Sequence, residues 1–363
     1  MHIETGRSIY GGARQVLFIL EGLQKIGVEN LLVCDRGAEI ASPAANFATV
    51  LETPISGDLD IGFIKRVRNH IREHNPDVVH IHSRRGADWL GGFAAKQERV
   101  PAVISRRVDN PETILTTKLK YRLFEQVIAI SKGIGKVLLN QKLPAKKLSV
   151  VCSAVKTEAF NGPFDRAAFT QKFNLAQGTN SDQLYIGVIA QLIRRKGHGY
   201  LLESLTEIKE KHPNIKVLFF GRGPMENELQ QQVNQLNLGD IVSIVGFHDD
   251  LPKWIGCLDL VVHPAEMEGL GVSLLQAGAA SIPIIGTSVG GIPEILIDQQ
   301  TGLLVEPKNI EQLSTAIDRL LGDKEMRIKL GKAARRHIEK VFSVDAMVKG
   351  NLAVYQTILG SQH

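Results

Sequence analysis

Glu268-Gly269-Leu270-Gly271, followed by Leu274-Leu275-Gln276-Ala277-Gly278 and then by Ser288-Val289-Gly290-Gly291-Ile292-Pro293-Glu294, decides how this chain is read. The pattern is an acidic glycine turn, a helix, a strand and a second glycine turn. The apolar run Leu258 to Val262 leads into it and is stopped by His263-Pro264. Gly269 and Gly271 allow a sharp turn and a close approach of backbone to ligand. A helix is expected to start near Leu270, with its free N–H groups and positive dipole end turned outward, where a diphosphate can bind. A carboxylate just before such a turn is a fixed acceptor suited to sugar hydroxyls. An ordinary strand-to-helix loop would use the same glycines for geometry alone, so the turn has to be weighed with its neighbours.

Taken together, these turns resemble the donor-binding half of the retaining glycosyltransferases of family 4. The resemblance implies the GT-B fold, two Rossmann-like α/β domains whose parallel sheets face a central cleft. The family's signature is a Glu-Gly-x-Gly turn, a second Glu further along the helix, and a Gly-Gly-x-x-Glu turn. Glu268 supplies the first acid, Gln276 stands where the second is usual, and Gly290-Gly291-Ile292-Pro293-Glu294 matches the later turn. In the family the second acid binds the nucleotide ribose. Gln276 can still accept one hydrogen bond and donate another, so ribose binding is expected with altered strength.

With 363 residues, 44% hydrophobic and 22% charged, the chain has the length for two domains and the composition of a globular protein. It has no apolar run of about 18 residues, and Met-His-Ile-Glu is not the start of a signal peptide. Cys34, Cys152 and Cys257 stand singly, without metal or redox spacing, which suits free thiols in a reducing cytoplasm. Residues 1–165 hold 23 Lys and Arg against 17 Asp and Glu, so the net charge of +5 belongs to the first half. Such an excess suits an anionic acceptor or a membrane surface, and a solvated basic face is the plain alternative.

Short apolar runs alternate with amphipathic segments, which implies parallel strands with crossover helices. In the first half the runs are Leu31 to Cys34, Val78 to Ile81, Ala102 to Ser105, Val127 to Ile130 and Leu148 to Val151, with helical segments at Ala13 to Ile26 and Ile61 to His74. The alternation restarts at Leu184 to Ala190 and runs through Val217 to Gly221, Ile241 to Val245, Leu258 to Val262, Pro283 to Ile285 and Gly302 to Val305. Two domains are expected, 1–165 and 166–346, with a last helix over 347–363 packing back on the first. The boundary falls within 156–182, near the polar run Gln177 to Asp182. His2-Ile3-Glu4 leaves room for only a short first strand, unless residues precede it.

Tyr10-Gly11-Gly12-Ala13 opens an amphipathic helix, and in family 4 the matching loop, here Gly11 and Gly12, faces donor diphosphate and acceptor. Val79-His80-Ile81-His82 ends a strand on which the two histidines share a face. No neighbour in sequence offers a third metal ligand. The resemblance gives His82 a contact with the donor sugar and leaves His80 structural. His70-Ile71-Arg72-Glu73-His74 has the form of a zinc-protease motif but lies on a basic helix, where solvated side chains are expected. In Gln191-Leu192-Ile193-Arg194-Arg195-Lys196-Gly197, the family usually has Arg at Gln191 and Lys at Lys196, both on donor phosphates. Lys196 matches, and Arg194 or Arg195 can replace the charge absent at Gln191. A cation there answers the negative charge that builds on a departing nucleoside diphosphate.

Gly221-Arg222-Gly223-Pro224 resembles the family's turn beside the nucleotide, and Gly246-Phe247-His248 the turn whose backbone receives the base. Ser153-Ala154-Val155-Lys156 departs from the family's Asn-Gly-Val-Asp and carries no ligand role. Arg84, Arg85, Arg106 and Arg107 flank the C-terminal ends of two strands, the edge that faces ligands in open parallel sheets. Their guanidinium forks suit phosphates or carboxylates, making them the acceptor or membrane candidates. Asp58-Leu59-Asp60 is expected to cap a helix.

The reading that results is a retaining, metal-independent glycosyltransferase with a nucleotide-sugar co-substrate, a UDP-sugar, and no cofactor. Lys196, Arg195, Gln191 and the turn Gly269, Leu270, Gly271 and Val272 would serve the diphosphate, with Glu268 on the sugar and Gln276 on the ribose. Lys196, Glu268 and His82 form the catalytic set. The acceptor would be an anionic or lipid-linked envelope glycan of lipopolysaccharide type, with peripheral contact at the inner face of the cytoplasmic membrane. Nucleic acid is not expected, with 6% aromatics and no stacking platform. A GT-B nucleotide-sugar epimerase and a catalytically weakened nucleotide-binding protein are the alternatives.

Overall fold

The computed structural model describes residues 1–82, 86–175 and 183–360. The chain forms two compact units, Met1–Ala154 with Val344–His363, and Val155–Ser343. Residues 155–165, expected with the first domain, pack with the second. Phe164 lies against Gly256, where even a Cβ would meet its ring at 2.0 Å, and the Phe160 carbonyl accepts from Arg335.

The first unit is a seven-stranded parallel sheet in the order β3-β2-β1-β4-β5-β6-β7. Its strands are β1 (His2–Glu4), β2 (Leu31–Cys34), β3 (Thr49–Glu52), β4 (Val79–Ile81), β5 (Ala102–Arg106), β6 (Gln126–Ala129) and β7 (Leu148–Val150). The strands found from apolar runs agree with these to within a residue or two. β3 went unread because its Thr49 and Glu52 are exposed and its other two residues half-buried, the mark of an edge strand. The short β1 nevertheless sits mid-sheet, pairing His2 with Leu32 on one side and with His80 on the other.

Helix Gly11–Lys25 buries Val16, Ile19, Leu20 and Leu23. The last helix, Val344–Gly360, packs against it so closely that a Cβ on Gly22 would meet Val348 at 2.3 Å. Ile19, Leu23, Val103, Ile128, Val348, Tyr355 and Ile358 share one core cluster. Asp60 accepts from the Phe63 N–H at 3.2 Å at the start of helix Gly62–His74, the capping role expected of that loop.

The second unit is a six-stranded parallel sheet, β10-β9-β8-β11-β12-β13. Its strands are β8 (Leu184–Ile189), β9 (Ile215–Phe220), β10 (Val242–Gly246), β11 (Leu260–His263), β12 (Ile284–Thr287) and β13 (Leu303–Val305). The core joins Ile186, Val188, Val217, Phe219, Leu260 and Val262 to Leu201, Leu205, Leu313 and Ile317 of the flanking helices. In each sheet the order reverses at a switch point, between β1 and β4 and between β8 and β11. Such points are where open α/β sheets leave a crevice for ligands at their carboxyl ends.

Candidate functional site

In the second unit the turns that follow β8 and β11 meet. Gly197 approaches the Pro264 carbonyl so closely that a Cβ would stand 1.9 Å from its oxygen, and its φ of +73° is one that side chains avoid. This contact holds the 194–197 turn against the segment after β11. Lys196, 9% exposed, then donates to Glu268 Oε2 at 2.6 Å, and His263 Nε2 lies 2.8 Å from the same oxygen. Glu268 Oε1 accepts from the Gly269 N–H at 3.1 Å.

Burial alone would raise the Glu268 carboxyl. The hydrogen bond from His263 and the charges of His263 and Lys196 outweigh it and hold the group down near about 2. Glu268 is therefore an anion at neutral pH. A carboxylate has about four lone-pair sites and three are in use, so about one is left for a ligand. His263 was read from sequence only as the end of a strand. Its spacing to Glu268 was visible, but nothing marked the two as partners.

The helix beside Glu268 starts at Val272 rather than near Leu270. Gly271 is its N-cap, with φ +95°, and no side chain caps that end. Leu274 and Leu275 donate to the Gly271 carbonyl at 2.9 and 3.3 Å, so of the first-turn N–H groups those of Val272 and Ser273 suit an anion. Leu270 is buried, while Val272, Ser273 and Gln276 are half-buried on the helix's open side. Gly290 backs the turn, since a Cβ there would fall 1.7 Å from the Glu268 carbonyl oxygen.

Gly221 and Gly223 are explained by packing. A Cβ on either would strike the carbonyls of Ala190 or Leu192, at 1.9 and 2.4 Å. Beside them Phe247 is 51% exposed, and the Arg222 guanidinium lies over its ring at 5.0 Å. Gln191 and Arg194 are exposed, and Arg195 is half-buried.

In the first unit, three histidines gather where β1 and β4 pair. His2 Nδ1 is 3.0 Å from His82 Nε2, with the rings stacked at 5.2 Å, and the His80 and His82 rings are 3.8 Å apart. The third imidazole that sequence spacing did not supply is thus His2, brought in across the sheet. Geometrically the trio is one of two groups among the described residues able to hold a metal ion; His70, Glu73 and His74 are the other. Yet both His80 nitrogens are taken, by Tyr355 Oη at 2.5 Å and Ser105 Oγ at 2.8 Å. Burial pushes all three well below the ordinary histidine range, helped next by the N-terminal charge at His2 and by the neighbouring imidazoles at His80 and His82, so they stay neutral. This is a packed, hydrogen-bonded core cluster, and His82 is only 4% exposed within it.

The four arginines separate. Arg84 and Arg85 lie outside the described residues. Arg106 is not available to an acceptor: it is 3% exposed, pairs with Glu112 at 3.0 Å and donates to the Asn110 carbonyl. Arg107 reaches His82 Nδ1 and Ser153 Oγ, both at 3.4 Å, and its buried Nε has no partner. Burial lowers its pKa to about 10, still a cation at neutral pH. Its side chain lies beside Gly12, whose added Cβ would touch it at 3.5 Å, while Gly11 has open space around it.

Comparison with known proteins agrees with this fold. The profile of glycosyl transferases group 1 matches residues 170–337, and that of glycosyltransferase family 4 matches residues 9–159. An uncharacterized glycosyltransferase of Methanocaldococcus jannaschii is 29% identical over 64% of this chain and 60% of its own. The sulfoquinovosyl transferase SQD2 of Arabidopsis thaliana is 28% identical over 78% and 57%. The lipopolysaccharide core biosynthesis mannosyltransferase LpsB of Rhizobium meliloti is 25% identical over 67% and 68%. The chain thus spans 57–60% of the length of the first two relatives. Among solved structures, a glycosyltransferase from Rickettsia africae superposes with a TM-score of 0.87 at 22% identity, covering 99% of this chain and 97% of that one. Anabaena HepE in complex with UDP-glucose gives 0.83 at 18%, covering 98% of both. The fold is GT-B, and the chain belongs to the family 4 type of glycosyltransferases.

Proposed function

We propose that this protein transfers a sugar, with retention of anomeric configuration, from a nucleotide-sugar donor to an envelope glycolipid or lipopolysaccharide-type acceptor. The observation that carries the reading is the Lys196–Glu268–His263 cluster beside the uncapped helix end at Gly271. Breaking the glycosidic bond to a nucleoside diphosphate leaves charge on the phosphate, and a cation plus a helix N-terminus stabilise that charge. Lys196 would carry the diphosphate load, with Arg195 near it. Glu268 holds Lys196 in place and offers its remaining acceptor site to a sugar hydroxyl. Gln276 would take the ribose, and the exposed Phe247 turn the base. His82 is assigned to the donor sugar through the resemblance alone, the residue being 4% exposed with the Arg107 guanidinium at 3.4 Å.

UDP is favoured as the nucleotide because HepE, of the same fold, binds UDP-glucose. The acceptor class rests on the LpsB relative and on the basic first half. A thermal-shift series over UDP-, GDP- and ADP-sugars tests the donor, since a ligand that binds only the native state raises its stability. The anomeric configuration of the product, read by proton NMR, tests retention. A second reading, a nucleotide-binding protein of weakened catalysis, is motivated by the exposed Gln191 and by Gln276. Tight nucleotide binding without turnover of any sugar would select it.

A further inference from the structure

His70-Ile71-Arg72-Glu73-His74 closes helix Gly62–His74, and its side chains are not simply solvated. His70 and His74 are both half-buried, one helical turn apart, with ring centroids at 6.5 Å. Glu73 is exposed beside them. One ligand atom of each of the three residues lies within 4.8 Å of the other two.

The tautomer of His70 follows from its neighbour. The Thr53 hydroxyl donates its single proton to the Leu51 carbonyl at 3.0 Å, and His70 Nε2 lies 3.0 Å from the same Thr53 oxygen. His70 Nε2 must then carry the ring proton, which leaves the lone pair on Nδ1. That Nδ1 is buried and has no hydrogen-bond partner. A buried polar atom without a partner calls for a group from outside the chain. An imidazole whose N–H is fixed by a neighbour and whose other nitrogen is bare is in the state that binds a metal ion.

The charge of the surroundings allows a cation. Arg66 pairs with Asp60, and Arg68 and Arg72 pair with Glu98. The three residues occupy the last turn of the helix, at the negative end of its dipole, where positive charge is stabilised. The His2, His80 and His82 group differs, because both His80 nitrogens are already bonded. We infer that His70, Glu73 and His74 bind a divalent transition-metal ion, Zn²⁺ by its preference for imidazole and carboxylate, with His70 ligating through Nδ1. Thr53 is the positioning residue that holds the His70 ring. Because Thr53 directly follows edge strand β3, the ion would fasten the helix end to the outer strand of the sheet. β2 and β1 stand between β3 and the switch point, so the site is separate from the crevice and does not depend on sugar transfer.

Calorimetric titration of the untagged, EDTA-stripped protein with Zn²⁺ tests the proposal. One ion should bind per chain, and the thermal midpoint should rise with it. His70→Ala with His74→Ala should lower the affinity at least about a hundredfold, and Glu73→Gln at least about tenfold, since each removes ligands. Glu73 is exposed, so that variant should fold as the parent does. Thr53→Val should lower affinity about tenfold, because the His70 ring loses its support. X-ray absorption of the loaded protein should show two imidazole nitrogens and a carboxylate oxygen at about 2.0–2.2 Å. Absence of binding by the parent would overturn the proposal. So would equal affinity in the double histidine variant, which would place the ion on His2, His80 and His82. Equal affinity in Thr53→Val would also overturn it, reducing the site to an adventitious pair of histidines.

Discussion

Lys196 Nζ stands 2.6 Å from Glu268 Oε2, joining the turn after β8 to the turn after β11 across the switch point of the second sheet. The pair is nearly buried, with side-chain exposures of 11% and 14%. One residue therefore serves two purposes: Lys196 supplies charge to the site and neutralises the carboxylate that shapes it.

Lys196→Ala should accordingly do two things. Transfer should fall about a hundredfold, as expected when roughly 3 kcal/mol of transition-state stabilisation is lost. The fold should also weaken, by about 1–3 kcal/mol in urea unfolding, because Glu268 is left with fewer partners. Lys196→Arg should recover most of the stability and only part of the rate, since a guanidinium keeps the charge but not the geometry. Activity of Lys196→Ala within a factor of about two of the parent would remove Lys196 from the leaving-group role.

Glu268 gives a dependence on pH. Its folded value, near about 2, lies below the ordinary 4.5, so the fold prefers the ionised form. The stability this contributes, about 3 kcal/mol, is complete above the ordinary value and lost as pH falls from there toward 2. Unfolding of parent and Glu268→Gln, compared at pH 7 and at stepwise lower pH, should show a gap that closes on acidification. A gap independent of pH would mean that the carboxylate is not held ionised by His263 and Lys196.

The two arginines at the end of β5 should behave differently. Arg106→Ala breaks the buried set with Glu112, Lys120 and Asp88, and should cost about 3–5 kcal/mol in unfolding. Arg107→Ala should leave stability nearly unchanged. If Arg107 receives an anionic acceptor, its loss should raise the acceptor KM about tenfold or more and spare donor affinity, as expected for a charge-assisted hydrogen bond. Lost donor affinity would place Arg107 on the diphosphate instead.

Much of this was legible in the sequence. The apolar runs located most strands because buried parallel strands are continuous apolar segments; edge strand β3, half-exposed, carried no such signal. The glycines announced tight turns, but the sequence could not separate those that face a ligand from Gly221 and Gly223, whose reason is the carbonyls of Ala190 and Leu192. His2 and His263 went unread because their partners, His82 and Glu268, are supplied by the fold. Arg106 and Arg107 looked alike in sequence, but adjacent strand-end residues point to opposite faces, and only the structure shows which face holds Glu112.

Gln276→Glu restores the residue usual in the family on the open side of helix Val272–Ala279. Hydrogen bonds to a charged acceptor are the stronger ones, so UDP should bind tighter by about 1 kcal/mol, roughly fivefold. Calorimetry decides this, and unchanged or weaker binding would take Gln276 off the ribose.

The central claim is that the Lys196–Glu268 site cleaves a nucleotide-sugar. Release of nucleoside diphosphate from UDP-sugars, followed with parent protein and Lys196→Ala over the same range of donor, tests it most directly. The account predicts measurable release by the parent, faster when a glycolipid acceptor is added, and about a hundredfold less by the variant. Release at equal rates by both proteins, or none from any UDP-, GDP- or ADP-sugar by the parent, would contradict it.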